Sequence, residues 1–216
     1  MELITWFIDF ILHLDQHLTE LIAAYDVWIY AILFLIIFCE TGLVVTPFLP
    51  GDSLLFALGA LAAVDETGTL NAALLWLLLM VAAIAGNETN FRIGRAIGPR
   101  AFSGNVRWLK KEYLDRTQAF YDKHGGKTIV LSRFIPIIRT FAPFVAGVGN
   151  MKRSRFAAYN FGGGFLWVTA FIWGGYLFGN VPLIKENFGV VTILIVVISV
   201  LPVVWGLLKN EKPVGA

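Results

Sequence analysis

Glu40, Asp52, Arg133 and Arg139 are the residues of this 216-residue chain best suited to chemistry, because each is ionisable and each interrupts an otherwise apolar stretch. A charge within a bilayer is costly unless paired or hydrated, so such groups face one another or a polar cavity. Burial penalises the charged form of a carboxylate, and a neighbouring arginine favours it. Those opposed influences make Glu40 and Asp52 switchable, which is what proton coupling needs. Arginine stays charged and grips phosphate through a bidentate fork that lysine cannot copy. Arg133 and Arg139, on either side of Pro136, therefore suit an anionic lipid head group. The structural alternative is a lock in which the two acids neutralise the two arginines. A buried pair is a weak source of stability, so four ionisable groups at two helix breaks argue more for a pathway.

The elements that must position these groups are broken membrane helices. Pro47, Pro50 and Gly51 surround Asp52 in "TPFLPGD", and Pro136 and Pro143 flank Arg139, with Pro143 opening "PFVAG". Proline removes a donor and breaks a helix, and glycine allows the tight turn. Non-helical backbone at membrane depth is tolerated only inside protein or against water. Both Pro-Phe pairs fall within apolar stretches, 27–64 and 128–149. Two opposed re-entrant hairpins in an inverted-repeat arrangement, with breaks meeting near the midplane, are the expected plan.

Composition supports a polytopic all-α membrane protein: 57% of residues are hydrophobic and 15% charged, with a mean hydropathy of +0.72. Three to four full spans are expected, among them 71–91, 156–180 and 188–208, within one membrane domain covering 27–208. Residues 1–26 read as an amphipathic helix lying in the membrane interface. Leu3, Phe7, Phe10, Ile11, Leu14, Leu18, Leu21 and Ile22 form its apolar stripe. No cleavable signal is expected there, since the basic n-region is lacking. Segment 92–127 carries nine Lys or Arg against Glu112, Asp115 and Asp122. It belongs on the cytoplasmic side with Lys152, Arg153, Arg155 and the tail 209–216. Residues 1–26 have five acids and no Lys or Arg, and the Asp65–Glu66 turn also lacks basic residues. Both fall outside, provided each hairpin enters and leaves on one side.

Other features have plainer readings. Cys39, the sole cysteine, excludes an internal disulfide. His13 and His17 stand one helical turn apart, a metal-ligand spacing, but polar-face histidines are the simpler account, and no metal or cofactor is expected. Gly162, Gly163, Gly164, Gly175 and Gly179 suit close helix packing. Tyr121, Lys123, His124 and Lys127 read as a solvated cytoplasmic face near lipid head groups. No nucleophile elbow, zinc-protease helix or phosphate loop occurs, so enzyme chemistry is not expected.

Three stretches, "FCETGLVVTPFLPGDSLLFALGAL", "FYDKHGGKTIVLSRFIPIIRTFAPFVAGVGNM" and "FAAYNFGGGFLW", resemble the DedA family of bacterial inner-membrane proteins, within the VTT-domain superfamily. The likeness runs over most of the chain. The resemblance implies function linked to the proton-motive force, roles in envelope integrity, and translocation of lipid phosphates such as undecaprenyl phosphate or phospholipids. It places the family's essential acids on Glu40 and Asp52 and its essential arginines on Arg133 and Arg139. Expected partners are anionic or phosphorylated lipids and protons, with a homo-oligomer open and no nucleic acid. The alternatives are a proton-coupled transporter of small cations or drugs, and a scaffolding membrane protein. One family motif departs: the usual Gly-Asp-x-x-x-Tyr reads Gly86-Asn87 with Phe91 in place of Tyr. Glu88 lies one position along, rotated by about 100° on a helix.

Overall fold

The computed structural model describes residues 14–43, 51–65, 68–98, 121, 124–179, 181 and 194, and every regular element among them is helical. In chain order these are α1 (Leu14–Tyr25), α2 (Ile29–Gly42), α3 (Gly51–Val64), α4 (Ala72–Ile97), α5 (Thr128–Leu131), α6 (Pro136–Val148) and α7 (Arg153–Gly179). His13 and the rest of 1–13, Pro47, Pro50, most of the basic segment with Lys123, and the tail 209–216 lie outside the described residues. So does the expected span 188–208, apart from Leu194.

Of the described helices, α4 and α7 are long and apolar enough to cross a membrane. At 1.5 Å per residue they reach about 40 Å, the thickness of a bilayer with its head groups. The expected end of the first span, residue 91, is too early. Helix α4 continues to Ile97 and stops at Gly98, whose φ of 56° suits glycine. The extra turns persist because Phe91 and Gly94 remain buried, and Gly94 packs against the Phe144 backbone of α6. Arg95 in the last turn also complements the helix dipole.

At the start of α4, Asn71 caps the helix by accepting from the Leu74 amide at 3.0 Å. Between α1 and α2, a 3-10 turn at Asp26–Trp28 opens on Asp26 in the left-handed region, φ 45°. The amphipathic stripe of α1 is used against protein: Leu18 is buried in the main core, and Leu21 and Ile22 pack on it.

A 3.6-residue period decides which side chains face inward. On α2 the buried face runs Ile29, Leu33, Ile37 and then Glu40, so the core stripe itself delivers the carboxylate. On α4 it runs Leu75, Leu79, Ala82, Ala83, Gly86, Asn87, Asn90 and Phe91. On α7 it includes Phe156, Asn160, Gly163, Gly164, Trp167 and Val168. The opposite faces are also apolar yet exposed, with Leu35 at 59% and Leu177 at 70%, as expected where lipid replaces water.

The two arms of stretch 27–64 pack on different partners, α2 along α4 and α3 along α7. The α3–α7 crossing is backbone to backbone. A Cβ at Gly59 would meet the Ile172 carbonyl, and one at Gly175 the Phe56 carbonyl.

The break in 128–149 differs from the sequence reading. It lies at the 3-10 turn Ser132–Phe134 and at Ile135, which is extended (φ −126°, ψ 103°) before Pro136 opens α6. A residue preceding proline is driven out of the helical region, and proline at the first helical position sacrifices no ladder bond. Pro143 is not a break: α6 runs through it to Val148. Flanking residues 141–148 are buried, so packing holds the helix across the lost donor. The supposed match between the two Pro-Phe pairs therefore fails on the α6 side.

Candidate functional site

Three helix ends converge on one polar centre. Glu40 stands in the last turn of α2, Asp52 in the first turn of α3, and Arg139 in the first turn of α6. Arg139 donates through Nη2 to Glu40 Oε1 at 2.5 Å and through Nη1 to Asp52 Oδ1 at 2.9 Å. All three are buried, with relative exposures of 2%, 7% and 5% for Glu40, Asp52 and Arg139. The Gly51 amide, at the positive N-terminus of α3, donates to Glu40 Oε1 at 3.3 Å. Gly51 is required by this approach, because a Cβ there would run into the Glu40 carboxylate.

Trp167 on α7 completes the ring. Its Nε1 donates to Asp52 Oδ1 at 2.8 Å, and its indole lies 5.5 Å from the Arg139 guanidinium carbon and 5.8 Å from that of Arg133. Both distances are within cation–π range.

Arg133 is placed differently from Arg139. It sits in the 3-10 turn before α6, 1% exposed, and no carboxylate among the described residues pairs with it. Its Nη2 donates to Asn160 Oδ1 at 2.8 Å and to the Ala83 carbonyl at 3.4 Å. With the Asn87 amide oriented to satisfy its neighbours, its oxygen accepts from Arg133 Nη2 at 3.0 Å and its nitrogen donates to the Thr41 carbonyl at 3.3 Å. Arg133 Nε and Nη1 have no partner among the described residues. Gly163 and Gly164 make room for the guanidinium: Cβ atoms there would lie 3.2 Å from Nε and 3.4 Å from Nη2. A buried cation bonded only to neutral groups, with two donors unspent, keeps hydrogen-bonding capacity for further acceptors.

The structure thus brings all four sequence-selected ionisable residues together, but it divides their roles. Arg139 is taken up by both acids, and Arg133 is held by neither. Glu88 does not stand in for the acid absent at position 87. It points off the buried face, where its Oε1 accepts from Arg92 Nε and Arg153 Nε at 2.8 Å each. Asn87, Asn90, Asn160 and Trp167 escaped the sequence reading as site residues. Asn90 Nδ2 ties α2 to α6 through the carbonyls of Thr41 at 3.3 Å and Thr140 at 2.9 Å. The signal for them was present: each is a polar or hydrogen-bonding group on the buried stripe of an apolar helix. Tyr121, read as part of a solvated face, instead donates to the Ala142 carbonyl of α6 at 2.9 Å.

Comparison with known proteins places the chain in a family. The VTT domain family matches residues 49–177, which contain Asp52, Asn87, Arg133, Arg139 and Trp167. Protein DedA of Escherichia coli strain K12 is 54% identical over 213 residues, covering 98% of this chain and 97% of that protein. An uncharacterized membrane protein of Mycobacterium tuberculosis is 40% identical over 169 residues, covering 78% of this chain and 74% of its own. The Escherichia coli inner membrane protein YqjA is 33% identical over 180 residues, covering 83% and 80% respectively. No solved structure matches the chain. With a VTT domain over more than half its length and a near-full-length likeness to DedA, this chain is a membrane protein of the DedA family.

Proposed function

We propose that this protein moves a phosphate-bearing lipid, undecaprenyl phosphate or a phospholipid, between the leaflets of the bacterial inner membrane, linked to the proton-motive force. One observation carries the reading: Arg133 is buried, lacks a carboxylate partner among the described residues and keeps Nε and Nη1 unspent. Each of those nitrogens can donate to an anion, and either forms the planar fork that phosphate accepts once the Nη2 beside it leaves Asn160. In this scheme phosphate enters at Arg133 and competes with Glu40 and Asp52 for Arg139. Protonating either acid weakens its hold and lets Arg139 turn to the phosphate. Deprotonation restores the pairs and expels the ligand, so proton and lipid movements are linked. Stretches 27–64 and 128–149 act as re-entrant hairpins from opposite sides, the protein is multi-pass with a cytoplasmic C-terminus, and no covalent chemistry is involved.

A second reading, a proton-coupled transporter of small cations, is favoured by Glu40 Oε2, which is buried without a partner among the described residues. Its weakness is the Arg139 charge on the same carboxylate.

The test is translocation of head-group-labelled lipids in proteoliposomes, with and without an imposed pH gradient. Arg133→Lys should slow transport of phosphate lipids about tenfold or more, since a charged hydrogen bond is worth about 1.5–3 kcal/mol. Glu40→Gln and Asp52→Asn should remove the response to the gradient. Normal transport by Arg133→Lys would sink the phosphate reading, and cation flux without lipid movement would favour the second.

A further inference from the structure

Helices α4 and α7 run antiparallel, with Trp76 Nε1 donating to Thr169 Oγ1 at 2.8 Å near one end and Glu88 meeting Arg153 near the other. Between them a crevice of about 270 Å³ opens on the outer face of the molecule. Val81, Ile84 and Ala85 of α4 and Ala157 of α7 form its apolar walls, with Glu88 and Asn160 the polar groups on its lining. Two features make it more than lipid-facing surface.

The first is charge at its mouth. Arg92 and Arg153 both reach Glu88 Oε1 through Nε, and no bond among the described residues engages their Nη atoms. Their side chains are 61% and 60% exposed, against 20% for Glu88. The three side chains leave a net positive charge, with two guanidinium ends unengaged among the described residues. The second is what lies behind the crevice. Asn160 is 1% exposed, and its Oδ1 accepts from Arg133, whose Nε and Nη1 are unspent. A single amide thus stands between the crevice and the buried cation.

We propose that this crevice is a docking site for a phosphate-bearing lipid of net negative charge, taken from the leaflet on the Arg92 and Arg153 side. The hydrocarbon tail lies along Val81, Ile84, Ala85 and Ala157, and the phosphate sits on the Nη ends of the two arginines. Charge complementarity selects the occupant: an apolar trough ending in an excess positive charge fits an anionic head on a chain, whereas a zwitterionic lipid gains little there. Asn160 is then the gate through which the phosphate passes to Arg133. That last passage rests on the transport reading above, but the docking itself does not.

The experiment uses the full chain with Cys39→Ser and a bimane label on Ala157→Cys, reconstituted in phosphatidylcholine vesicles. Tail-brominated phosphatidylglycerol or tail-brominated phosphatidylcholine is titrated in as quencher. One net charge near the surface should make the phosphatidylglycerol quench at about fivefold lower mole fraction. A label at Leu177→Cys, on the exposed face of α7, should show no preference. Arg92→Gln with Arg153→Gln should erase the preference at 157, and Glu88→Gln should strengthen it, which guards against a double variant that merely misfolds. Equal quenching by the two lipids at 157, an equal preference at 177, or an unchanged preference in either charge variant would overturn the site. Arg133→Lys separates the two ideas, because it should slow translocation about tenfold or more and leave the crevice preference intact. Translocation indifferent to Arg133 sinks the transport reading alone.

Discussion

The two buried arginines should respond very unequally to the same substitution. Arg139 neutralises two carboxylates at 2.5 and 2.9 Å, all three groups being buried. Removing it in Arg139→Met leaves both acids without their counter-charge, and breaking a buried pair costs about 3–5 kcal/mol. A Coulomb figure agrees: at an effective dielectric of about 20 and about 4 Å, each pair is worth about 4 kcal/mol, less the mutual repulsion of the acids. Arg133→Met instead removes a buried cation with two unspent donors, each a penalty of about 1–3 kcal/mol. It strands the oxygens of Asn160 and Asn87 at a comparable cost, so the net change should lie within about 1 kcal/mol of zero or be stabilising. At about 2–4 °C per kcal/mol, Arg139→Met should melt roughly 6–20 °C lower and Arg133→Met within a few degrees of the parent. The assay is built in. Cys39, the only cysteine, is half-buried and adjoins Glu40 in the chain, so a thiol-reactive dye reports unfolding of the detergent-solubilised protein. Adding Glu40→Gln and Asp52→Asn to Arg139→Met should recover most of the loss, a non-additivity expected of groups in one network. If Arg133→Met falls as far as Arg139→Met, Arg133 has a counter-charge and the anion-site argument fails.

Two further outcomes follow from particular contacts. Gly51→Ala should lower stability by about 1–3 kcal/mol in the same melt, because its Cβ would run into the Glu40 carboxylate that Arg139 holds in place, and a parent-like melt would refute that packing. Cysteines at positions 65 and 123 test the topology: a membrane-impermeant reagent outside should label the first and not the second, and the reverse pattern would overturn the orientation drawn from the Lys/Arg asymmetry.

Membrane class, family and the four ionisable residues were legible without coordinates, because each depends on local information. Apolar run length, the cost of charge in hydrocarbon and the period of a helix are written along the chain. That period also puts Glu40 on the same face as Ile29, Leu33 and Ile37, and turns Glu88 away from the face of Asn87.

What only the tertiary structure decided is which charge meets which. Arg133 and Arg139 are six positions apart in one stretch and look equivalent in sequence, yet one lies among neutral amides and the other between two acids. That division arises from contacts across 27 to 99 residues, set by where α2, α3, α4 and α7 pack. It also decided that Pro143 stays within α6, since proline's local cost is outweighed by burial on both sides of it. Local rules say which side chains turn inward. Only the packing of distant helices says what each inward side chain finds there.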